Sequence, residues 1–210
     1  MTQYRRLQYF GMLLLGSFML SGCGQSTVSL APLPQDAVIL AFGDSLTYGS
    51  GASTEQSYPA RLAELTGRTV INAGVPGELS STGKERLAKI LAETEVDLVI
   101  LCHGGNDLLR KQSRSQLQAN LQIMIDDIQN AGAQVVLVAV PALGLGLAPV
   151  PLYMDIASVN DVPVQKTILK EVLSAPALKS DHIHPNASGY DLLAKSLYQL
   201  LAESGALTPL

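Results

Sequence analysis

Four short apolar runs constrain this chain most: Val38–Phe42 (VILAF), Thr69–Ala73 (TVINA), Asp97–Cys102 (DLVILC) and Val135–Val140 (VVLVAV). They are rich in Val and Ile and do not alternate with polar residues. Such runs suit strands covered on both faces, as in a parallel sheet between helices. The segments between them have helical spacing. Ser57–Thr66 opens on Ser-Tyr-Pro and stops before Gly67, a start and a stop signal. Thr82 and Glu85 have capping-box spacing, and Leu87, Ile90 and Leu91 follow on one face. Leu117, Leu121, Met124, Ile125 and Ile128 form a stripe closed by Gly132. A last helix is predicted from about Ala187 to Ser204, with Tyr190, Leu193, Leu197, Leu200 and Leu201 as its core face. Strands alternating with helices predict a layered α/β fold with a mainly parallel sheet and right-handed crossovers. A weak fifth strand is expected near Val162–Val164. No internal repeat or second domain is visible.

Composition narrows the function classes. Apolar residues make up 47% and charged residues 15% of the 210, which is a folding composition rather than a disordered one. The net charge of −4 carries no basic footprint, so nucleic acid is not an expected partner. The two cysteines, Cys23 and Cys102, form no CxxC, which excludes a disulfide scaffold and a cysteine-rich zinc site.

The N-terminus reads as an export signal. Arg5 and Arg6 precede an apolar run, Phe10–Leu20. Its eleven residues would reach only about 16 Å as a helix, roughly half a bilayer core, so a secretory leader fits better than a span. The run ends in Leu20-Ser21-Gly22-Cys23, which resembles the lipobox of bacterial lipoproteins. That resemblance implies cleavage after residue 22, lipidation of Cys23, and a membrane partner reached through the lipid. Gly24 rather than Asp follows, which under the enteric sorting rule implies the outer membrane, with the protein facing the periplasm. Loss of the leader removes Arg5 and Arg6, taking the charge from −4 to −6. Cys102 is then the one free thiol. Residues 23–36 are expected to be the lipidated cysteine and a tether of about 20 Å, and 37–210 the domain.

Four polar motifs fall at strand ends or in the last loop, where open α/β sheets bind ligands. Gly43-Asp44-Ser45-Leu46 follows the first strand. A serine on such a turn can present its Oγ, although an ordinary capped turn reads the same. Asn72-Ala73-Gly74-Val75-Pro76-Gly77 follows the second; glycine lets backbone approach a ligand, and an N–H there could face an oxyanion. His103-Gly104-Gly105-Asn106-Asp107 follows the third and offers an amide with two donors. Near the C-terminus, Asp181-His182-Ile183-His184-Pro185 sets a carboxylate three residues before an imidazole. A carboxylate bonded to one ring nitrogen leaves the other as a base. Together the four supply a nucleophile, oxyanion donors, a base and its orienter, the parts of acyl transfer.

These motifs, in this order over about residues 37–203, resemble the SGNH-hydrolase, or GDSL-esterase, family. The resemblance is nearest to its bacterial thioesterase, lysophospholipase and arylesterase branch. It implies a three-layer, flavodoxin-like α/β/α sandwich with about five strands. It also implies Ser45 as nucleophile, His184 as base and Asp181 as its partner. The oxyanion hole would be the N–H groups of Ser45 and Gly77 with the side chain of Asn106. No cofactor or metal is implied. The substrate would be a small acyl, aryl or thioester, and no obligate protein partner is evident. Gly77-Glu78 departs mildly from the usual Gly-Asp of relatives, and the apolar, glycine-rich loop Pro141–Pro151 is not part of the pattern that carries the resemblance. The α/β-hydrolase fold shares the order Ser, Asp, His but usually carries GxSxG, which is missing here.

Other readings stay in view. The same chemistry on an envelope carbohydrate would make a deacetylase, and a binding lipoprotein could reuse the fold without catalysis. His182 reads as a surface residue, His103 as local structure and Cys102 as a small apolar filler. A zinc site of His103, His182 and His184 would take the base out of its row. Arg110, Lys111 and Arg114 read as a solvated helix start rather than an anion clamp. Leu143, Leu145, Leu147 and Tyr153 read equally as an acyl groove or a core edge.

Overall fold

Strand β1 (Val38–Gly43) is buried almost throughout, as expected of a chain segment that is apolar on both faces. It lies between β2 (Thr69–Gly74) and β3 (Leu98–Cys102), and β4 (Gln134–Val138) and β5 (Val164–Gln165) follow outward. All pairings are parallel, in the order β2-β1-β3-β4-β5. The computed structural model describes residues 28–142, 147 and 150–207. The leader, Cys23, Leu143 and Leu145 lie outside them.

The helices are α1 (Ser45–Tyr48), α2 (Tyr58–Thr66), α3 (Ser80–Glu93), α4 (Gly105–Leu109), α5 (Arg114–Asn130), α6 (Pro151–Asn160), α7 (Ile168–Ser174) and α8 (Ala187–Glu203). Packing groups α2 and α7 with α8, and α3 and α6 with α5, so the sheet sits between two helical layers. One contiguous apolar core joins sheet and helices. The predicted stripes face it: Leu117, Leu121, Met124, Ile125 and Ile128 of α5 are buried, as are Tyr190, Leu193, Leu197 and Leu201 of α8.

Several expectations are corrected. β2 is an edge strand and only half-buried, not covered on both faces. The fifth strand is shifted to Val164–Gln165, and β4 ends at Val138. The capping box at Thr82 and Glu85 does not start α3. That helix begins at Ser80, whose N–H and hydroxyl both bond to Asp107 at 2.9 and 2.6 Å. A tertiary contact, not a local cap, sets its end. From Val28 on, the stretch read as a tether lies against the domain instead. Leu30 N–H donates to Ser204 at 2.7 Å, Ala31 pairs with the Gln134 side chain, and Leu33 is buried.

Candidate active site

Parallel order makes the carboxyl ends of β1, β2 and β3 neighbours, so the turns bearing Ser45, Gly77 and Asn106 lie side by side. The first turn is tight because Asp44 caps α1: its Oδ1 accepts the Leu46 N–H at 3.1 Å, leaving Ser45 as the first helical residue. Gly43 has no space for a side chain, since a Cβ there would stand 2.1 Å from the Cys102 carbonyl oxygen.

The last loop brings in the base. Lys179 pairs with Pro185, and Ser180 N–H donates to the His184 carbonyl at 3.0 Å. Within that loop Asp181 Oδ1 accepts the N–H groups of Ile183 and His184, both at 2.8 Å. The three-residue spacing is thus realised as an aspartate turn rather than a helical one. Asp181 Oδ2 lies 2.8 Å from His184 Nδ1, and His184 Nε2 lies 3.0 Å from Ser45 Oγ. With Nδ1 donating to the carboxylate, Nε2 is the acceptor for the serine hydroxyl. Burial alone would raise the Asp181 carboxyl. The bonds from the His184 ring and from the Ile183 and His184 N–H groups outweigh it and hold the carboxyl below its ordinary value.

Asn106 Nδ2 donates to Asp44 Oδ2 at 3.3 Å. An amide has two such hydrogens, and the second remains for the cleft that Asn106 lines. Asp44, Ser45, Leu46, Gly105, Asn106, Leu109, Val140, Leu173 and Ile183 bound that shallow cleft, which opens to solvent. Burial raises the Asp44 carboxyl, against the opposing pull of His103 and of the Leu46 and Gly105 N–H groups. Gly77 is exposed with φ +78°, and its carbonyl accepts from Arg110 Nη2 at 3.1 Å. It is not among the described residues lining the cleft.

The remaining candidates settle into structural places. His182 is exposed. Cys102 is buried, which pushes its thiol up. Tyr153 belongs to the core, its hydroxyl donating to the His103 carbonyl at 2.8 Å. Arg110 braces the Gly77 turn. Among the described residues, no group of three or more His, Cys, Asp or Glu could hold a metal ion. Sequence reasoning missed Asp44 as the acceptor for Asn106, and a buried cluster of Glu78, Arg86 and His103 below the turns. These contacts join residues apart in sequence; the available signal was an acidic residue beside two of the reactive positions, Asp44 directly before Ser45 and Glu78 directly after Gly77.

Comparison with known proteins agrees with this fold. The GDSL-like Lipase/Acylhydrolase family model matches residues 41–192. Esterase TesA of Pseudomonas aeruginosa is 38% identical over 141 residues, 63% of this chain and 66% of that protein. The Thioesterase 1/protease 1/lysophospholipase L1 of Escherichia coli K12 is 30% identical over 175 residues, 78% of this chain and 84% of that protein. Among solved structures, the crystal structure of TesA superposes with a TM-score of 0.72 at 26% identity, covering 80% of this chain and 99% of that one. A match over most of the chain, on a five-stranded parallel sheet, places the protein in the GDSL-like lipase/acylhydrolase family of carboxylic ester hydrolases.

Proposed function

We infer that the protein cleaves acyl esters through Ser45, His184 and Asp181 and a covalent acyl-enzyme. The observation that carries this reading is the unbroken row from Asp181 Oδ2 to His184 Nδ1 at 2.8 Å and from His184 Nε2 to Ser45 Oγ at 3.0 Å. Ser45 Oγ attacks the acyl carbonyl carbon while Nε2 takes the hydroxyl proton. The carbonyl oxygen becomes an oxyanion that the Ser45 and Gly77 N–H groups and Asn106 Nδ2 receive. The bond to the leaving alcohol or thiol then breaks, and His184 returns the proton to it. Water, deprotonated by the same nitrogen, attacks the acyl-enzyme and releases the acid. Asp181 holds the ring in the productive tautomer and stabilises its charged form.

The cleft walls of Leu46, Leu109, Val140, Leu173 and Ile183 are apolar beside a few polar groups, which favours small to medium acyl or aryl esters and thioesters. The similarity to proteins named esterase and thioesterase supports the same class. Lipidation at Cys23 would anchor the enzyme in the cell envelope, facing the periplasm, with the outer membrane favoured. Turnover of p-nitrophenyl esters from acetate to palmitate tests the reading. The protein should show a chain-length optimum, and Ser45→Ala should fall to near background. Equal rates in the two proteins would exclude a serine nucleophile.

A further inference from the structure

Below the three turns lie three side chains that the reaction does not use. Glu78 follows Gly77 and turns inward, with its side chain only 4% exposed. Its Oε1 accepts from Arg86 Nε at 2.8 Å and its Oε2 from Arg86 Nη2 at 2.7 Å. The same Oε2 lies 3.1 Å from Nε2 of His103, whose ring is wholly buried. His103 Nδ1 accepts the Gly104 N–H at 2.8 Å, so the ring proton resides on Nε2 and is donated to Glu78. Arg86 extends the cluster: Nη1 donates to the Ala73 carbonyl at 3.0 Å and Nη2 to the Gly43 carbonyl at 3.2 Å. Its guanidinium lies 4.1 Å over the Phe42 ring, which stacks on His103. Helix α3 packs close over this site through Gly83, where a Cβ would stand 2.4 Å from His103 Nε2.

One cluster therefore reaches all three strand-end turns of the site. Gly43 precedes Asp44 and Ser45, Glu78 follows Gly77, and His103 opens the turn that ends in Asn106. A buried ion pair is weak evidence for stability, because apolar replacements of equal volume are often neutral. What a forked guanidinium and a two-pronged carboxylate do supply is direction. Oxyanion donors accelerate a reaction only when aimed at the position where charge develops.

Resting on the serine-esterase reading above, we propose that Glu78, Arg86 and His103 are positioning residues that keep the Gly77 and Asn106 donors in register with Ser45. They touch no substrate. Their effect reaches the transition state through the turns, so their loss lowers kcat and leaves KM in place.

Substitutions at His103 test this, with kcat and KM read on a p-nitrophenyl ester. Rates are normalised to the serine titrated by a reactive phosphonate, and Tm is followed in parallel. His103→Gln sets an amide where Nε2 stood and can still donate to Glu78. His103→Asn sets its amide where Nδ1 stood, and His103→Leu has no donor. The Asn and Leu variants should lose about 10-fold or more in kcat with KM nearly unchanged, and the Gln variant should regain most of it. Arg86→Lys keeps the charge but not the fork, and should show the same loss confined to kcat; it serves if a His103 variant does not fold. Wild-type kcat per titrated serine in His103→Leu and Arg86→Lys overturns the proposal, as does a Gln variant no better than Leu. Ser45→Ala run alongside separates the two levels: activity surviving in it removes the serine reading itself. An inactive Ser45→Ala beside unaffected His103 and Arg86 variants removes only the positioning role.

Discussion

Asn106 has one amide hydrogen occupied by Asp44 at 3.3 Å and one left toward the cleft. The Asp44 carboxylate can accept but not donate in its ionised form, so it turns the amide nitrogen, rather than the oxygen, toward the shared corner. Asn106→Ala should therefore lower kcat by about 10²–10³, or about 2.7–4 kcal/mol, without abolishing turnover. A rate equal to wild type would remove Asn106 from the reaction. The pH response can be assigned by sign. Asp181 is held below its ordinary value of 3.8, with the His184 ring and two N–H groups outweighing desolvation. A carboxyl depressed on folding adds stability that is present above its unfolded value and lost as pH falls through its folded one. Glu78 behaves alike: desolvation would raise it, but His103 and Arg86 hold it down to about 2 from 4.5. Both carboxylates thus remain ionised through the neutral range and lose their contribution only in strong acid. A histidine acts as a base only as the neutral ring, so kcat should rise from acid toward neutral pH. A flat profile there would take His184 out of the base role.

Elements meet at glycines around the nucleophile. A Cβ on Gly74, at the end of β2, would stand 2.1 Å from the Tyr48 backbone nitrogen in α1. Nothing flexible lies there to give way, so Gly74→Ala should cost about 1–3 kcal/mol through overpacking. The element displaced carries Ser45, so activity should fall as well. A urea midpoint and a kcat both at wild-type values would show that α1 can shift freely. α6 and α7 escaped the sequence reading for a related reason. They are short, 10 and 7 residues; Pro151, which opens α6, is the last of three prolines in an apolar stretch, and α7 follows a two-residue strand. Their buried residues, such as Tyr153, Ile156, Leu169 and Val172, pack because neighbouring layers are already in place.

Across the whole molecule, the cleft and the N-terminal segment occupy opposite ends of the sheet. Residues 30–33 bond to Ser204, Ala206 and Gln134, the first residue of β4, while the cleft lies at the carboxyl ends. With Cys23 lipidated, the five residue steps to Val28 span at most about 18 Å. The anchored enzyme would then open its cleft away from its own bilayer. Anchoring to vesicles should leave hydrolysis of a water-soluble ester within about twofold of the unlipidated protein, and give no advantage on a lysophospholipid in the same bilayer, because geometry prevents joint engagement. A marked acceleration on the bilayer-borne ester would reverse that orientation.

The sequence by itself determined what short-range chemistry writes into spacing. Apolar, Val- and Ile-rich runs made Val38–Gly43 and Leu98–Cys102 buried strands, and the stripes of α5 and α8 had to face a core. Ser45, Asn106, Asp181 and His184 could be singled out as candidates because four short polar motifs, weak one by one, together offer the parts of acyl transfer. Tertiary structure alone decided which of them meet. Ser45 and His184 stand 139 residues apart, Asn106 and Asp44 62, and His103 and Glu78 25. No local period records such distances; the order of strands sets them. That order also made β2 an edge, folded residues 28–36 onto the domain, and overrode the capping box of α3 with Asp107. Each is a contact between segments whose own sequences fit more than one partner, and burial in one common core selects among them.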